Sequence, residues 1–336
     1  MTLAKVSVVI PFYNGGELGA RCLRSVLNQN YPAEHLEIIA VDDGSSDKTN
    51  EILEKEVHEH LNLKIVRQPN RGPASARTVG VKMATGEYVF ILSQDCLAEP
   101  DWLKKVANIF ENRPKVGIVQ GRILPTRPID LPIYHCMAVK SFSFSFETAA
   151  IAYRTEALDK AGRHFDEVFS VAGQGAYGDD TDLAWRILEA GYESFWLDEV
   201  TAKHEVLPRS FWKDVRDAKR LPLFNLLVKR HPGLRAHLRW GILWGDPRRY
   251  LRLATLFLAV LGSFLYLGGL TNWHLASGIW LLFLVTNFYY GWKDSQDNRC
   301  PWYYKLTLLP AHKLLTELLA TLSFWYGSFK YRCALV

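Results

Sequence analysis

No Gly-x-Gly-x-x-Gly follows the first apolar run, which argues against a dinucleotide-binding oxidoreductase. No Cys-x-x-Cys pair occurs either: the 5 cysteines, Cys22, Cys96, Cys136, Cys300 and Cys333, are scattered. That spacing does not suit a disulfide framework and fits reduced packing residues of a cytosolic compartment. Internal repeats and low-complexity segments are absent. The amino end lacks the pattern of a cleavable signal peptide, since residues 1–5 run straight into an apolar strand. The front domain is therefore expected to stay on the side of the membrane where it is made. The sharpest absence is of charge: residues 253–292 hold no Asp, Glu, Lys or Arg.

Charge is distributed unevenly around that gap. Residues 209–252 carry 12 Lys/Arg against 3 Asp/Glu, and residues 293–336 carry 6 against 3. The whole chain is +5, which leaves residues 1–208 at −7. An acidic front followed by a basic collar and an apolar run predicts a domain docked on an anionic membrane. Nucleic acid would also attract the collar but leaves the apolar run unexplained, so no nucleic-acid partner is expected. The uncharged stretch of 18 residues at 253–270 would be about 27 Å long as a helix, close to a bilayer's hydrocarbon thickness. A polar turn separates it from a second stretch, 275–292, with Trp280, Tyr289, Tyr290 and Trp292 as interface anchors. Basic residues flank the outer ends only, which predicts a transmembrane hairpin returning to the cytosol. Residues 306–326, interrupted by Pro310, Lys313 and Glu317, read as an interfacial or membrane helix. The expected domains are 1–208, a catalytic α/β domain; 209–252, a membrane-proximal collar; and 253–336, the membrane region.

Through the front half, short β-branched apolar runs alternate with amphipathic stretches. Strands are expected at 6–10, 37–41, 63–66, 88–92, 116–119 and 149–153. Helices are expected at 18–27, 48–60, 74–84, 102–112 and 182–190. Such alternation implies an α/β fold with a mostly parallel sheet and right-handed crossovers. Ligands in such sheets bind beyond the carboxyl ends of the strands, where Asp42, Asp43, Ser93, Gln94 and Asp95 all fall.

Several polar groups at that edge suit chemistry as well as turns. A carboxylate in Asp42-Asp43-Gly44-Ser45-Ser46-Asp47 can accept from a base N–H or from ribose hydroxyls; the same residues also make a tight turn and a helix cap. Asp95 follows five apolar residues and is placed to hold Mg²⁺ or Mn²⁺ between two phosphates. Gly178-Asp179-Asp180-Thr181-Asp182 opens a helix with more acids than one cap needs, and a carboxylate there can deprotonate an acceptor hydroxyl. Arg77, or Arg71 instead, can reach a diphosphate. His204 can complete a metal shell or contact phosphate, and otherwise serves as a local hydrogen-bonding residue.

These motifs keep a definite order. Val6 to Asn14 is followed by Val41-Asp42-Asp43-Gly44-Ser45-Ser46-Asp47, Asn70-Arg71-Gly72 with Ala76-Arg77, Ala84-Thr85-Gly86-Glu87-Tyr88, Asp95, Phe165-Asp166-Glu167 and Gly178-Asp179-Asp180-Thr181-Asp182-Leu183. Across roughly residues 5–205 the chain resembles glycosyltransferase family 2. The resemblance implies a GT-A fold (a Rossmann-like sheet flanked by helices), a nucleotide-diphosphate-sugar donor, a divalent metal and inversion at the anomeric carbon. It implies that Tyr13 and Asp43 contact the base, with Pro11 lining that pocket, and that Ser93 and Gln94 lie on the nucleotide-sugar side. Arg77 would approach the diphosphate, Asp95 would bind the metal with His204 beside it, Asp180 would be the catalytic base and Asp179 would face the acceptor. Ser93 departs from the family, which often has an Asp there, and so bears on metal and donor. The implied function is sugar transfer to a membrane-associated acceptor, a lipid-linked or other saccharide, at the cytoplasmic membrane, in cell-surface polysaccharide or glycolipid synthesis. A polyprenyl-phosphate glycosyltransferase and a non-catalytic nucleotide-sugar-binding subunit are the alternatives.

Overall fold

The computed structural model describes residues 3–128, 134–171, 175–208, 217–238, 247–294 and 308–333. The chain divides into two units. One comprises residues 1–127 and 136–206, the other 128–135 and 207–336. The expected boundary at 208 thus falls two residues earlier, and a short excursion of the front domain joins the second unit.

The first unit is built on an eight-stranded sheet. Strands β1 (Val6–Phe12), β2 (Leu36–Asp42), β3 (Leu63–Arg67) and β4 (Tyr88–Leu92) run parallel, in the spatial order β3-β2-β1-β4. Every residue of β2 and β4 is buried, as is all of β1 except Pro11. This is why these strands read as unbroken apolar runs rather than as alternations. Helices α1 (Gly16–Leu27), α2 (Thr49–Glu59), α3 (Pro73–Met83) and α4 (Trp102–Asn112) supply the crossovers and cover the faces. The chain winds outward from β1 to β3 and then returns to pair β4 on the other side of β1. The carboxyl ends of β1 and β4 therefore flank a topological switch point, the usual ligand crevice of such sheets.

The sheet is mostly parallel, as expected, but two antiparallel strands enter it beyond β4. Strand β8 (Ala150–Arg154) lies antiparallel between β4 and β6 (Val116–Pro125). Strand β11 (Glu193–His204) is parallel to β6, and the short β5 (Cys96–Ala98) turns back antiparallel to it. The remaining strands of this unit, β9 (Ser170–Val171) and β10 (Gly175–Ala176), form a small hairpin. Residues 172–174, part of the Gly-rich stretch seen in the sequence, lie outside the described residues. Helices α5 (Thr155–Lys160) and α6 (Asp179–Glu189) complete the unit. Cys22, Cys96, Cys136 and Cys333 are free thiols, as expected; Cys300 is outside the described residues.

At the opposite edge from the switch point, one buried carboxylate ties four segments together. Glu37 accepts from Ser7 Oγ at 2.5 Å, from the Thr85 amide at 2.9 Å and hydroxyl at 3.1 Å, and from Lys64 Nζ at 2.6 Å. Burial alone would push its carboxyl pKa up, but these donors outweigh it and hold it down at about 2. A carboxylate whose folded pKa is depressed stabilises the fold above its unfolded pKa and loses that contribution as the pH falls toward 2. Glu37→Gln is expected to lower stability by about 2 kcal/mol at neutral pH, with the gap to wild type closing below about pH 4, as read from urea unfolding at several pH values.

Among the described residues the second unit holds strands β7 (Tyr134–His135) and β12 (Leu207–Pro208), paired antiparallel, and helices α7 (Pro222–Arg230), α8 (Pro247–Leu267), α9 (Trp273–Asp294) and α10 (Leu308–Tyr331). The buried Asn225 of α7 donates to Ser328 Oγ at 3.0 Å and to the Cys333 carbonyl at 3.1 Å, fastening α7 to α10. Trp280 Nε1 donates to Ser263 Oγ at 2.8 Å, joining α8 to α9 across a turn capped by Asn272. The expected hairpin of helices is therefore present, with its first helix ending at Leu267 and its second beginning at Trp273. Its crossing of a membrane is not supported: among the described residues no helix is long and apolar enough to span one. The helices are displaced from the apolar windows. Helix α8 begins six residues early and takes in Arg248, Arg249 and Arg252, whereas α9 runs on through Lys293 and Asp294. Helix α10 contains Lys313 and Glu317. Parts of the basic collar, 209–216 and 239–246, lie outside the described residues, as do 306 and 307.

Candidate active site

Three loops meet at the carboxyl ends of the parallel strands. After β1 the chain passes Tyr13, whose side chain is exposed, to Asn14 in the left-handed region at φ 48°. Asn14 donates its amide to Ser45 Oγ at 2.9 Å and accepts from the Ser46 amide at 2.8 Å. This ties the β1 loop to the β2 loop. Gly44, at φ +76°, lets the turn pass close to the backbone of Asn70; a Cβ there would lie 2.8 Å from the Asn70 nitrogen.

Asp43 is buried, and both its oxygens are occupied. Oδ1 accepts from Gln68 Nε2 at 2.6 Å and from the Arg71 amide at 2.9 Å, and Oδ2 accepts from the Gly72 amide at 2.8 Å. Asp43 therefore shapes the loop at 70–72 that leads into α3. Gln94 is similarly engaged: its side-chain amide accepts from the Tyr13 N–H and donates to the Tyr13 carbonyl, both at 3.0 Å. This reciprocal pair spans the switch point between β1 and β4 and fixes the backbone that presents Tyr13. Ser93 makes its backbone contacts inward, donating its amide to the Ala149 carbonyl at 3.0 Å and accepting from Cys96 at 2.9 Å.

Asp95 and His204 face each other from the β4–β5 turn and the end of β11. Nε2 lies 3.4 Å from Asp95 Oδ2, with His204 buried and Asp95 about a quarter exposed, at 26%. The His204 Nδ1 lies 2.6 Å from the Glu205 carbonyl, and a carbonyl only accepts, so Nδ1 carries the proton. Nε2 is then the ring atom that faces Asp95. An imidazole oriented by a carbonyl behind it and a carboxylate beside it are a fitting pair of ligands for a divalent cation. The thiol of Cys96 lies within 4.8 Å of both ligand atoms; it was not anticipated in the sequence, because the residue reads there as a strand-core position.

On the other side of β8, α6 starts from Gly178, held in the left-handed region at φ 93°. Its first turn carries Asp179, Asp180 and Asp182. Asp182 pairs with Arg186 Nε at 2.9 Å and belongs to the packing of α5 and α6. Asp180 is half-buried; Oδ1 accepts from the Thr181 amide at 2.9 Å and Oδ2 lies 3.4 Å from the Thr148 amide. Burial, then the neighbouring Asp179 charge, raises its pKa to about 7. Asp180 is thus a site carboxylate poised to gain or lose a proton near neutral pH.

Two expectations change here. Asp179, expected to face the acceptor, is 2% exposed, and burial pushes its pKa up. Arg77, expected at the diphosphate, is 8% exposed and turned inward: Nη1 lies 3.0 Å from Asp179 Oδ2 and 2.8 Å from Thr148 Oγ1, and the guanidinium stacks 5.0 Å from the Phe165 ring centroid. Arg71 is the exposed arginine of this region, and it contacts Glu167 at 3.3 Å. Thr148 was not identified in the sequence, because residues 121–178 have no regular pattern and its backbone amide leaves no signature.

Comparison with known proteins agrees with this geometry. The model of Glycosyl transferase family 2 matches residues 7–154. The model of Glycosyl transferase family group 2 matches residues 88–293, more than half of the chain. The chain belongs to glycosyltransferase family 2. It has a sheet of the GT-A type. It is 28% identical over 260 residues to a poly-beta-1,6-N-acetyl-D-glucosamine synthase of Staphylococcus epidermidis, covering 67% of this chain and 60% of that protein. It is 34% identical over 128 residues to the glycosyltransferase AglE of Haloferax volcanii, covering 38% and 42%. The matches thus span less than two thirds of these relatives' own length. Among solved structures, the mannosyltransferase PcManGT of Pyrobaculum calidifontis, in complex with GDP-Man and Mn²⁺, superposes with a TM-score of 0.63 at 22% identity, over 96% of this chain and 87% of that one.

The ligand pair gives a direct test. Titrating Mn²⁺ into the protein and following the loss of free-ion electron paramagnetic resonance signal should show one bound ion in wild type. Asp95→Ala should abolish that binding, and His204→Ala should weaken it about 10- to 100-fold. Undiminished binding by both variants would place the metal elsewhere.

Proposed function

We propose that this glycosyltransferase moves a sugar from a nucleoside-diphosphate donor to a saccharide acceptor by a single displacement, with Asp180 as the base. The observation that carries the reading is the Asp180 carboxylate: partly open at the head of α6 and titrating at about 7. A base with its pKa near the working pH is half ionised yet still strong enough to take a hydroxyl proton as that hydroxyl attacks. In the step, the acceptor oxygen bonds to the anomeric carbon, the bond from that carbon to the diphosphate breaks, and the acceptor proton ends on Asp180. The exposed Tyr13, presented by Gln94, stacks on the nucleotide base, and Pro11 lines the same pocket. Asp43 acts on the base through the loop it shapes. Ser93 lies beside the ribose.

Asp95 and His204 are the groups that hold a divalent cation, Mg²⁺ or Mn²⁺, and Mn²⁺ accompanies the donor in PcManGT. When bound there, the ion supplies positive charge against the diphosphate. With Ser93 in place of a second carboxylate, the cation is held by fewer protein charges. Retained donor binding at reduced metal affinity is the expected consequence.

The acceptor is a lipid-linked or growing saccharide, in cell-surface polysaccharide or glycolipid synthesis. The poly-beta-1,6-N-acetyl-D-glucosamine synthase relative supports the polysaccharide class. The second unit rests on the cytoplasmic membrane surface with the catalytic unit in the cytosol. Its support is the basic excess of residues 209–252 beside helices that expose Phe257, Phe264, Leu267, Leu281 and Phe329.

The chemical reading is tested by following nucleoside diphosphate release with a panel of donors. Asp180→Asn should lower turnover by about 100- to 10,000-fold while leaving donor binding intact. Wild-type turnover should rise with pH through about 7, because Asp180 must be ionised to accept the proton. A variant as active as wild type would remove Asp180 from the mechanism. For the membrane reading, full-length protein should float with vesicles containing phosphatidylglycerol and stay behind with purely zwitterionic ones at physiological salt. Equal behaviour with both would sink it.

A further inference from the structure

The inward turn of Arg77 removes it from the role that its motif suggests and gives it another. Its Nη1 reaches Asp179 Oδ2 at 3.0 Å and Thr148 Oγ1 at 2.8 Å, while Nε donates to the Pro73 carbonyl at 3.1 Å, within the first turn of α3. Asp179 and Thr148 are both neighbours of Asp180, whose Oδ1 accepts from the Thr181 amide at 2.9 Å. Asp179 precedes it on α6, and the Thr148 amide lies 3.4 Å from Asp180 Oδ2. Asp179 Oδ2 is buried and has no aligned hydrogen-bond donor, so its contact with Arg77 is one of charge against charge. Phe165 stacks on the guanidinium and closes its outer side. Arg77 itself is 8% exposed.

We propose that Arg77 is a positioning residue for the catalytic base, holding Asp179 and Thr148 on either side of Asp180, and that it does not bind the donor diphosphate. This rests on the reading of Asp180 as the base. The charged and titratable groups around Asp180 are few. Asp179 and Asp182 come from α6, Arg77 from α3, Glu147 from the segment before β8, and the buried Tyr153 from β8. Glu147 is held by Ser143 Oγ at 2.9 Å and Gln120 Nε2 at 3.0 Å. Arg77 is the cation of this group that acts directly on Asp180, where it opposes the carboxylates of Asp179 and Glu147. Removing it leaves Asp179 uncompensated in a buried position, which favours protonation of the whole acidic cluster. Neutralising Asp179 does the reverse.

The opposed signs make the test specific. Turnover at saturating donor is measured across about pH 5 to 9 for full-length wild type, Arg77→Met, Arg77→Lys and Asp179→Asn, together with nucleoside diphosphate affinity by calorimetry. The midpoint of the acid limb should move up by about one pH unit in Arg77→Met and down by about one in Asp179→Asn, and Arg77→Lys, which keeps the charge, should stay near wild type. Diphosphate affinity should change less than about twofold in all three. A tenfold loss of affinity in Arg77→Met with an unmoved midpoint would make Arg77 a diphosphate ligand and overturn the proposal. If Arg77→Met fails to fold, Asp179→Asn decides: an unmoved midpoint overturns the proposal as well. Failure of the underlying reading looks different, because Asp180→Asn would then retain wild-type turnover and its pH profile.

Discussion

The antiparallel insertion of β8 between β4 and β6 is the constraint on which the site depends. Residues 148 and 149, just ahead of that strand, connect its two halves. The Ala149 carbonyl accepts from Ser93, which fixes the turn carrying Gln94 and Asp95. One residue earlier, the Thr148 amide faces Asp180, and its hydroxyl accepts from Arg77. The proposed metal side and the proposed base side are therefore joined through one short backbone segment. Misplacing β8 by one residue would turn its side chains to the opposite faces and misplace both halves at once.

Around that segment, the sheet edge separates carboxylates by environment. Glu37, among hydrogen-bond donors, is held strongly ionised at about 2, whereas Asp180, half-buried beside other acids, is pushed up to about 7. The same functional group thus does structural work at one end of the sheet and takes protons at the other. Asp43, at the edge itself, spends its oxygens on backbone amides and so contributes the shape of a loop.

Much of this arrangement was legible in the sequence, for physical reasons. The parallel strands are buried on both faces, so they appear as apolar runs ended by Gly, Asp or Pro, and β1, β2, β3 and β4 fall where those runs fall. The carboxylates at their ends are visible for the same reason. The antiparallel strands were less legible, because β8 pairs with segments far away in the chain and its short run does not reveal direction. The burial of Arg77 and Asp179 was not legible, because motif spacing tells where a residue sits on a helix but not which way its side chain turns. The contribution of Thr148 is a backbone amide, to which composition and periodicity are blind. In the second unit, the apolar windows located α8 and α9 but not their ends, since both helices run on into charged sequence at 247–252 and 293–294.

The stereochemistry of the product tests the central claim most directly. A single displacement with Asp180 as base bonds the acceptor to the face of the anomeric carbon opposite the leaving diphosphate. Proton NMR of the transferred sugar, read from its anomeric coupling constant in a short incubation, should show a configuration inverted relative to the donor. A product that keeps the donor's configuration would contradict the account, because it requires two displacements or attack from the same face.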